Sequence, residues 1–161
     1  VLPLSVEENI LSLILDRVSP HGFVNRKMAD EEVKQGIEQL NIKVASPMQA
    51  VQYLSGGNQQ KIVFSKWIKT HPKILYLHEP TRGVDVQSKL EIYALIRRLT
   101  AEGVSVVVFT SDILELIGLS DEIYVMYEGE ISGHIAGAEA TEEKIMQMSA
   151  KSANKRKQEG Q

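Results

Sequence analysis

Leu54-Ser55-Gly56-Gly57-Asn58-Gln59-Gln60 is a short glycine turn that runs directly into a helical pattern over 58–69, with apolar positions at Ile62, Phe64, Trp67 and Ile68. Two adjacent glycines let the main chain approach a ligand closely. The open N–H groups of the first helical turn, with the helix dipole, favour an anion there by about 0.3–2 kcal/mol. Ser55 adds a neutral hydroxyl donor. Ser-Gly-Gly alone also describes an ordinary turn before a helix, so the surroundings have to decide between the two.

Downstream of this turn the apolar period changes. Ile74-Leu75-Tyr76-Leu77 is a short unbroken run of the kind found in strands buried on both faces, and it ends in His78-Glu79-Pro80. Thr81-Arg82-Gly83-Val84-Asp85 follows, then helical spacing at Leu90, Tyr93, Leu95, Ile96 and Leu99, with Gly103 placed to end that helix. A second buried strand is expected over 105–109, followed by Thr110-Ser111-Asp112 and a short helix over 113–117. Strand, helix, strand, helix predicts parallel pairing with a right-handed crossover. Residues 123–127, the turn Glu128-Gly129 and residues 130–132 predict a β-hairpin closing one edge of that sheet. In open parallel sheets ligand groups gather at the carboxyl ends of strands, which is where Glu79 and Ser111 stand.

Upstream lie two amphipathic helices. Ser5-Val6-Glu7-Glu8 has the capping-box form and opens a helix over 6–16, while Asp30-Glu31-Glu32 opens another over 30–40 with Val33, Ile37 and Leu40 on one face. A terminal helix is expected over 141–148 and a disordered basic tail, carrying Lys151, Lys155, Arg156 and Lys157, over 149–161.

Composition narrows the possible classes. The 161 residues hold 18 Lys+Arg against 21 Asp+Glu, a net charge of −3, with 43% hydrophobic and 24% charged residues. Those fractions fit a folded globular chain and argue against nucleic acid as a partner, since phosphate-backbone binding needs clustered Lys and Arg. The absence of cysteine removes disulfides, thiolate zinc sites and cysteine nucleophiles. No apolar stretch approaches the roughly 20 residues that span a bilayer. His21, His71 and His134 have no second ligand at metal-like spacing, so no metal site is expected. Trp67 and Tyr93 fall in apolar helical patterns and read as packing residues.

Together these motifs resemble an ABC transporter ATPase over residues 4–148. LSGGNQQK (54–61) matches the signature, ILYLHEP (74–80) the Walker B position, TRGVD (81–85) the D-loop, and the strand ending at Ser111 the switch position. EPTRGVDV (79–86) with LELIGLSDEIYVMYEGEISG (114–133) is most similar to the second nucleotide-binding half of monosaccharide importers of the ribose and galactose type. The resemblance implies an α/β fold: part of a P-loop NTPase domain, with a helical signature subdomain over 1–57 and the second part of the core over 58–148. In that family two halves pair head to tail, so Leu54, Ser55, Gly56, Gly57 and Gln59 would meet ATP held by a partner half. Glu79 would be the general base, Ser111 would occupy the catalytic switch position, and Asp85 would touch the partner across the seam. ATP and Mg²⁺ would be shared with that partner. Permease subunits, and indirectly a periplasmic sugar-binding protein, would complete the assembly, with this chain peripheral on the cytoplasmic face of a bacterial inner membrane.

Three departures qualify the resemblance. A Walker A loop needs G-x-x-x-x-G-K-[ST], and no Gly-Lys pair occurs in the chain. His78 stands where the family has an aspartate supporting Mg²⁺; an imidazole brings no negative charge to a hard cation. It reads first as drift in a non-hydrolytic half, next as gene decay and least as a new function. Ser111 can hydrogen-bond but cannot act as the imidazole of the switch would. All three fall on the site this half would bind for itself, while the signature is intact. The expectation is an asymmetric assembly in which this chain completes a partner's ATP site. The alternatives are an inactive remnant truncated upstream, with the Val1-Leu2-Pro3 start read as a cut, and a soluble ATPase of DNA repair or translation. EPTRGVDV, the acidic balance and the lack of long heptads oppose the last of these.

Overall fold

A computed structural model describes residues 1–159, with side chains at 1–20 and 22–150. The chain divides into two compact units, Val1–Val107 and Val108–Gln161.

The first unit opens with α1 (Val6–Leu11), capped as the sequence predicts: Ser5 Oγ accepts from the Glu8 amide at 3.1 Å, and the Glu8 carboxylate accepts from the Ser5 amide at 2.7 Å. The helix expected over 6–16 stops at Leu11 and resumes as α2 (Leu15–Val18). At the break Ser12 Oγ donates to the Asn9 carbonyl at 2.8 Å, a local bond that competes with helix continuation. Leu13 and Leu15 are left on the outside. The second helix, α3 (Arg26–Gln39), begins earlier than Asp30 because Asn25 supplies the cap, accepting from the Met28 amide at 3.2 Å.

Next comes α4 (Gly56–Ile68), two residues longer at its start than the apolar pattern predicts, since Ser55 is the capping residue. It packs against α1, α3 and α5 (Val86–Ala101). Ile10, Val18, Val33, Ile62, Ile92 and Ile96 fill the core, each contributing roughly 1.5–3 kcal/mol by burial. A partly buried charged cluster ties the C-terminal end of α4 to its neighbours. Lys69, only 7% exposed, donates to Glu32 Oε2 at 2.6 Å; Arg17 pairs with Glu32 Oε1 at 3.1 Å and also donates to the Lys69 carbonyl at 3.1 Å.

β1 (Ile74–His78) and β2 (Ser105–Phe109) form a parallel two-stranded sheet with α5 as the crossover; the Ser105 amide bonds the Lys73 carbonyl at 2.9 Å. Burial on both faces does not hold. Leu75 is buried, whereas Ile74, Tyr76, Val107 and Phe109 are exposed, so among the described residues one face is covered and the other open. An apolar run specifies a strand but cannot say how many of its faces are covered. Trp67 likewise is 46% exposed rather than packed away.

In the second unit, α6 (Ile113–Leu119) is capped by Asp112, which accepts from the Glu115 amide at 3.1 Å. β3 (Glu122–Tyr127) pairs antiparallel with β4 (Glu130–Ala136) through a turn whose two central residues, Glu128 and Gly129, both have positive φ. This hairpin makes its own two-stranded sheet, and no strand among the described residues joins it to β1 and β2. Ile123 and Ile135 face each other in register, and with Val125 and Ile145 they form the core under α7 (Glu142–Glu159). The sequence expects that helix to stop at Met148 and a disordered tail over 149–161; α7 instead runs on to Glu159, and 160–161 lie outside the described residues.

Candidate functional site

The predicted turn sits at the N-terminus of α4, and the residues around it are tightly specified. Ser55 has the extended backbone of a capping residue, and its hydroxyl accepts from the Asn58 amide at 3.5 Å and from Asn58 Nδ2 at 2.9 Å. Gly56 and Gly57 form the first turn, where helix geometry leaves amide groups without intrahelical acceptors. Leu54 closes the preceding loop by donating its amide to the Val51 carbonyl at 3.0 Å. Gln59 does not reach outward: its side chain turns back and Nε2 donates to the Leu54 carbonyl at 3.0 Å.

The loop after β1 lies against this turn. Asp85 caps α5, accepting from the Ser88 amide at 2.9 Å on one oxygen and from Ser88 Oγ at 2.8 Å on the other. The Ser88 amide, then the Ser88 hydroxyl, hold the exposed Asp85 carboxyl below its ordinary value. A Cβ added to Gly57 would lie 2.5 Å from Ser88 Cβ and 3.6 Å from Asp85 Oδ2; one added to Gly56 would lie 3.2 Å from the Gly83 carbonyl oxygen. Close approach therefore requires glycine at 57, while at 56 a methyl would press on the Gly83 carbonyl by a few tenths of an ångström. Behind them Lys61, 5% exposed, ion-pairs with Glu91 and donates to the Asn41 carbonyl at 3.0 Å. That bond to Lys61 is the main cause lowering the Glu91 carboxyl. Thus Ser55, Gly56, Gly57 and Asp85 come together as one lip formed by the starts of α4 and α5.

Glu79 stands directly after β1 with φ 47°, a left-handed conformation that costs a non-glycine residue about 1–2 kcal/mol. Its carbonyl accepts from Arg82 at 3.2 Å, and Gly83, at φ 73°, completes the turn toward Asp85. His78 lines an apolar groove of about 400 Å³ with Val63, Phe64, Trp67, Ile74 and Tyr76. Among the described residues no group of three His, Asp or Glu could hold a metal ion. The end of β1 does not fit a resident Mg²⁺. Ser111 belongs to the second unit, exposed between β2 and the Asp112 cap of α6. Exposed His134 bonds Glu122 through Nε2 at 2.6 Å across the hairpin; the His21 side chain lies outside the described ones.

Sequence reading overlooked Ser88 and the Lys61–Glu91 pair. Ser88 carries a faint local signal, three residues beyond an aspartate cap. Lys61 and Glu91 carry none, because only the packing of α4 on α5 brings them together.

Over the part it covers, the chain has the fold of the ATP-binding cassettes. It superposes on a dimeric ATP-binding cassette bound to ADP and phosphate with a TM-score of 0.71 and 22% identity, covering 84% of this chain and 58% of that one. The ADP form of another transporter cassette gives 0.67 and 20%, covering 91% and 62%. Within the class, the sequence is 49% identical over 146 residues to the ribose import ATP-binding protein of Bacillus subtilis, covering 91% of this chain and 30% of that protein. It is 47% identical over 148 residues to the ribose import ATP-binding protein of Lactococcus lactis subsp. lactis, again covering 92% and 30%. The chain therefore spans about 30% of the length of these curated relatives. No family model matches the chain.

Proposed function

We propose that this chain is an energy-coupling component of an ABC-type sugar importer that supplies its signature turn to an ATP site shared with a second nucleotide-binding half. One observation carries the reading. The lip that would face a partner's nucleotide has a capping serine, two closely packed glycines and a fixed Asp85, while the end of β1 carries His78 among apolar groups and the sequence has no Gly-Lys pair.

In this proposal Ser55 and the first-turn amides of Gly56 and Gly57 meet the terminal phosphate, and the positive end of the 13-residue helix α4 adds to the attraction. Asp85 meets the partner across the seam. Gln59 braces the loop through Leu54 instead of touching nucleotide. Glu79 descends from a general base, and Ser111 keeps the switch position without imidazole chemistry. Mg²⁺ comes with the partner's nucleotide; among the described residues no group of three His, Asp or Glu could hold it. Permease subunits, with a periplasmic sugar-binding protein beyond them, complete the assembly on the cytoplasmic face of the inner membrane; among the described residues no helix is long and apolar enough to cross a bilayer.

Affinity purification of the tagged full chain from solubilised membranes of its host tests this. Co-purification of a multispanning permease with a second nucleotide-binding half is the expected result. Recovery of nucleic acid with no membrane protein would overturn it.

A further inference from the structure

We propose that Ser88 is a positioning residue that makes the 54–57 turn and the 82–85 turn one mechanical unit, so that a load on Asp85 reaches Gly57. The inference rests on the proposed function only in taking both turns to face the same partner; the joint itself belongs to this chain alone.

Two loops move together when they touch at two separate points and cannot slide at either. One point is Gly56 against the Gly83 carbonyl, where a Cβ would come within 3.2 Å. The other is Gly57 against Ser88, whose Cβ lies 2.5 Å from where a Gly57 Cβ would stand. Ser88 also holds both oxygens of Asp85, through its amide at 2.9 Å and its hydroxyl at 2.8 Å. One residue thus grips the aspartate on one side and supports the signature glycine on the other. A turn further along, Glu91 on α5 meets Lys61 on α4, a second rung that stops the two helix starts from rolling apart.

Helix capping alone does not account for this arrangement. The bond from the Ser88 amide to Asp85 Oδ1 is donated by the main chain and survives replacement of the Ser88 side chain. A capping role therefore predicts that Ser88→Ala is silent at the 54–57 turn, whereas the joint predicts that the turn loosens.

Amide hydrogen exchange on the full chain decides between them. Ser88→Ala is expected to speed exchange at 56–58 about tenfold while the β3–β4 amides, in the other unit, keep their rates. Gly57→Ala is expected to loosen the same turn. Adding Ser88→Gly to that variant relieves the clash, because the next neighbour of the new methyl is then Asp85 Oδ2 at 3.6 Å, but it brings exchange only to the Ser88→Ala level, since the hydroxyl grip on Asp85 is gone. Unchanged exchange in Ser88→Ala, or full return to the parent rate in the double variant, overturns the joint. If both effects appear while the assembled transporter ignores Ser55→Arg, the proposed function falls and the joint stands.

Discussion

The lip at the starts of α4 and α5 and the loop that leaves β1 lie within one unit of the chain, yet they are finished to different degrees. At the lip, Ser55 caps its helix, Gly56 and Gly57 are held against Gly83 and Ser88, and Asp85 has both oxygens occupied. At the end of β1, Glu79 keeps a left-handed backbone, but its neighbour His78 lines the apolar groove and, among the described residues, no group of three His, Asp or Glu could hold a cation. The difference teaches that two loops of one unit are held by different means, the lip by close packing and side-chain caps and the β1 loop by a left-handed turn beside an apolar groove.

The largest expected effect separates the regions directly. In the assembled transporter, Ser55→Arg places a long cation on the anion-binding turn and lowers ATP hydrolysis by about 100-fold or more, while Glu79→Gln changes it by less than about threefold. Steady-state assays on the two variants check this, and the reverse ordering would break the comparison. Next in size is Gly57→Ala. Overpacking against Ser88 costs on the order of 1–3 kcal/mol, read as a lower urea midpoint.

A third variant probes what holds the far end of α4. Burial pushes the Glu32 carboxyl up, but the hydrogen bond and charge of Lys69, with Arg17, outweigh it and the net direction is down. A carboxyl held down in the folded state stabilises the fold above its unfolded value, near 4.5, and that contribution is lost as pH falls through the folded value. Arg17 is more than a third exposed, so solvent screening reduces the pair's share, and Glu32→Gln is expected to cost about 1–2 kcal/mol at pH 7. Urea midpoints between about pH 7 and 3 check both points: the parent loses stability on acidification, and the variant loses less of it. The smallest effect is His78→Asp. It restores the family's residue, yet it leaves nucleotide affinity and the melting midpoint of this chain within about 1 °C of the parent, because no Gly-Lys loop is present for it to complete.

Local chemistry was the legible part of this molecule. The Ser5 capping box, the Ser55 turn, the crossover and the Glu128-Gly129 hairpin all rest on residues a few positions apart, and each formed where its pattern stood. Features resting on distant packing were not legible. Arg17 reaches Lys69 across 52 positions and Lys69 reaches Glu32 across 37. Nothing local announces that Gly57 must sit on Ser88. Apolar runs misled for the same reason: Ile74 and Tyr76 have the residue types of a doubly covered strand, but Tyr76 is 67% exposed because covering depends on what lies opposite.

The central claim is that this chain completes a nucleotide site without holding one. Titration of the purified full chain with a fluorescent Mg·ATP analogue tests it most directly. The account predicts no saturable binding up to about 1 mM, while micromolar saturation by the chain alone would contradict it.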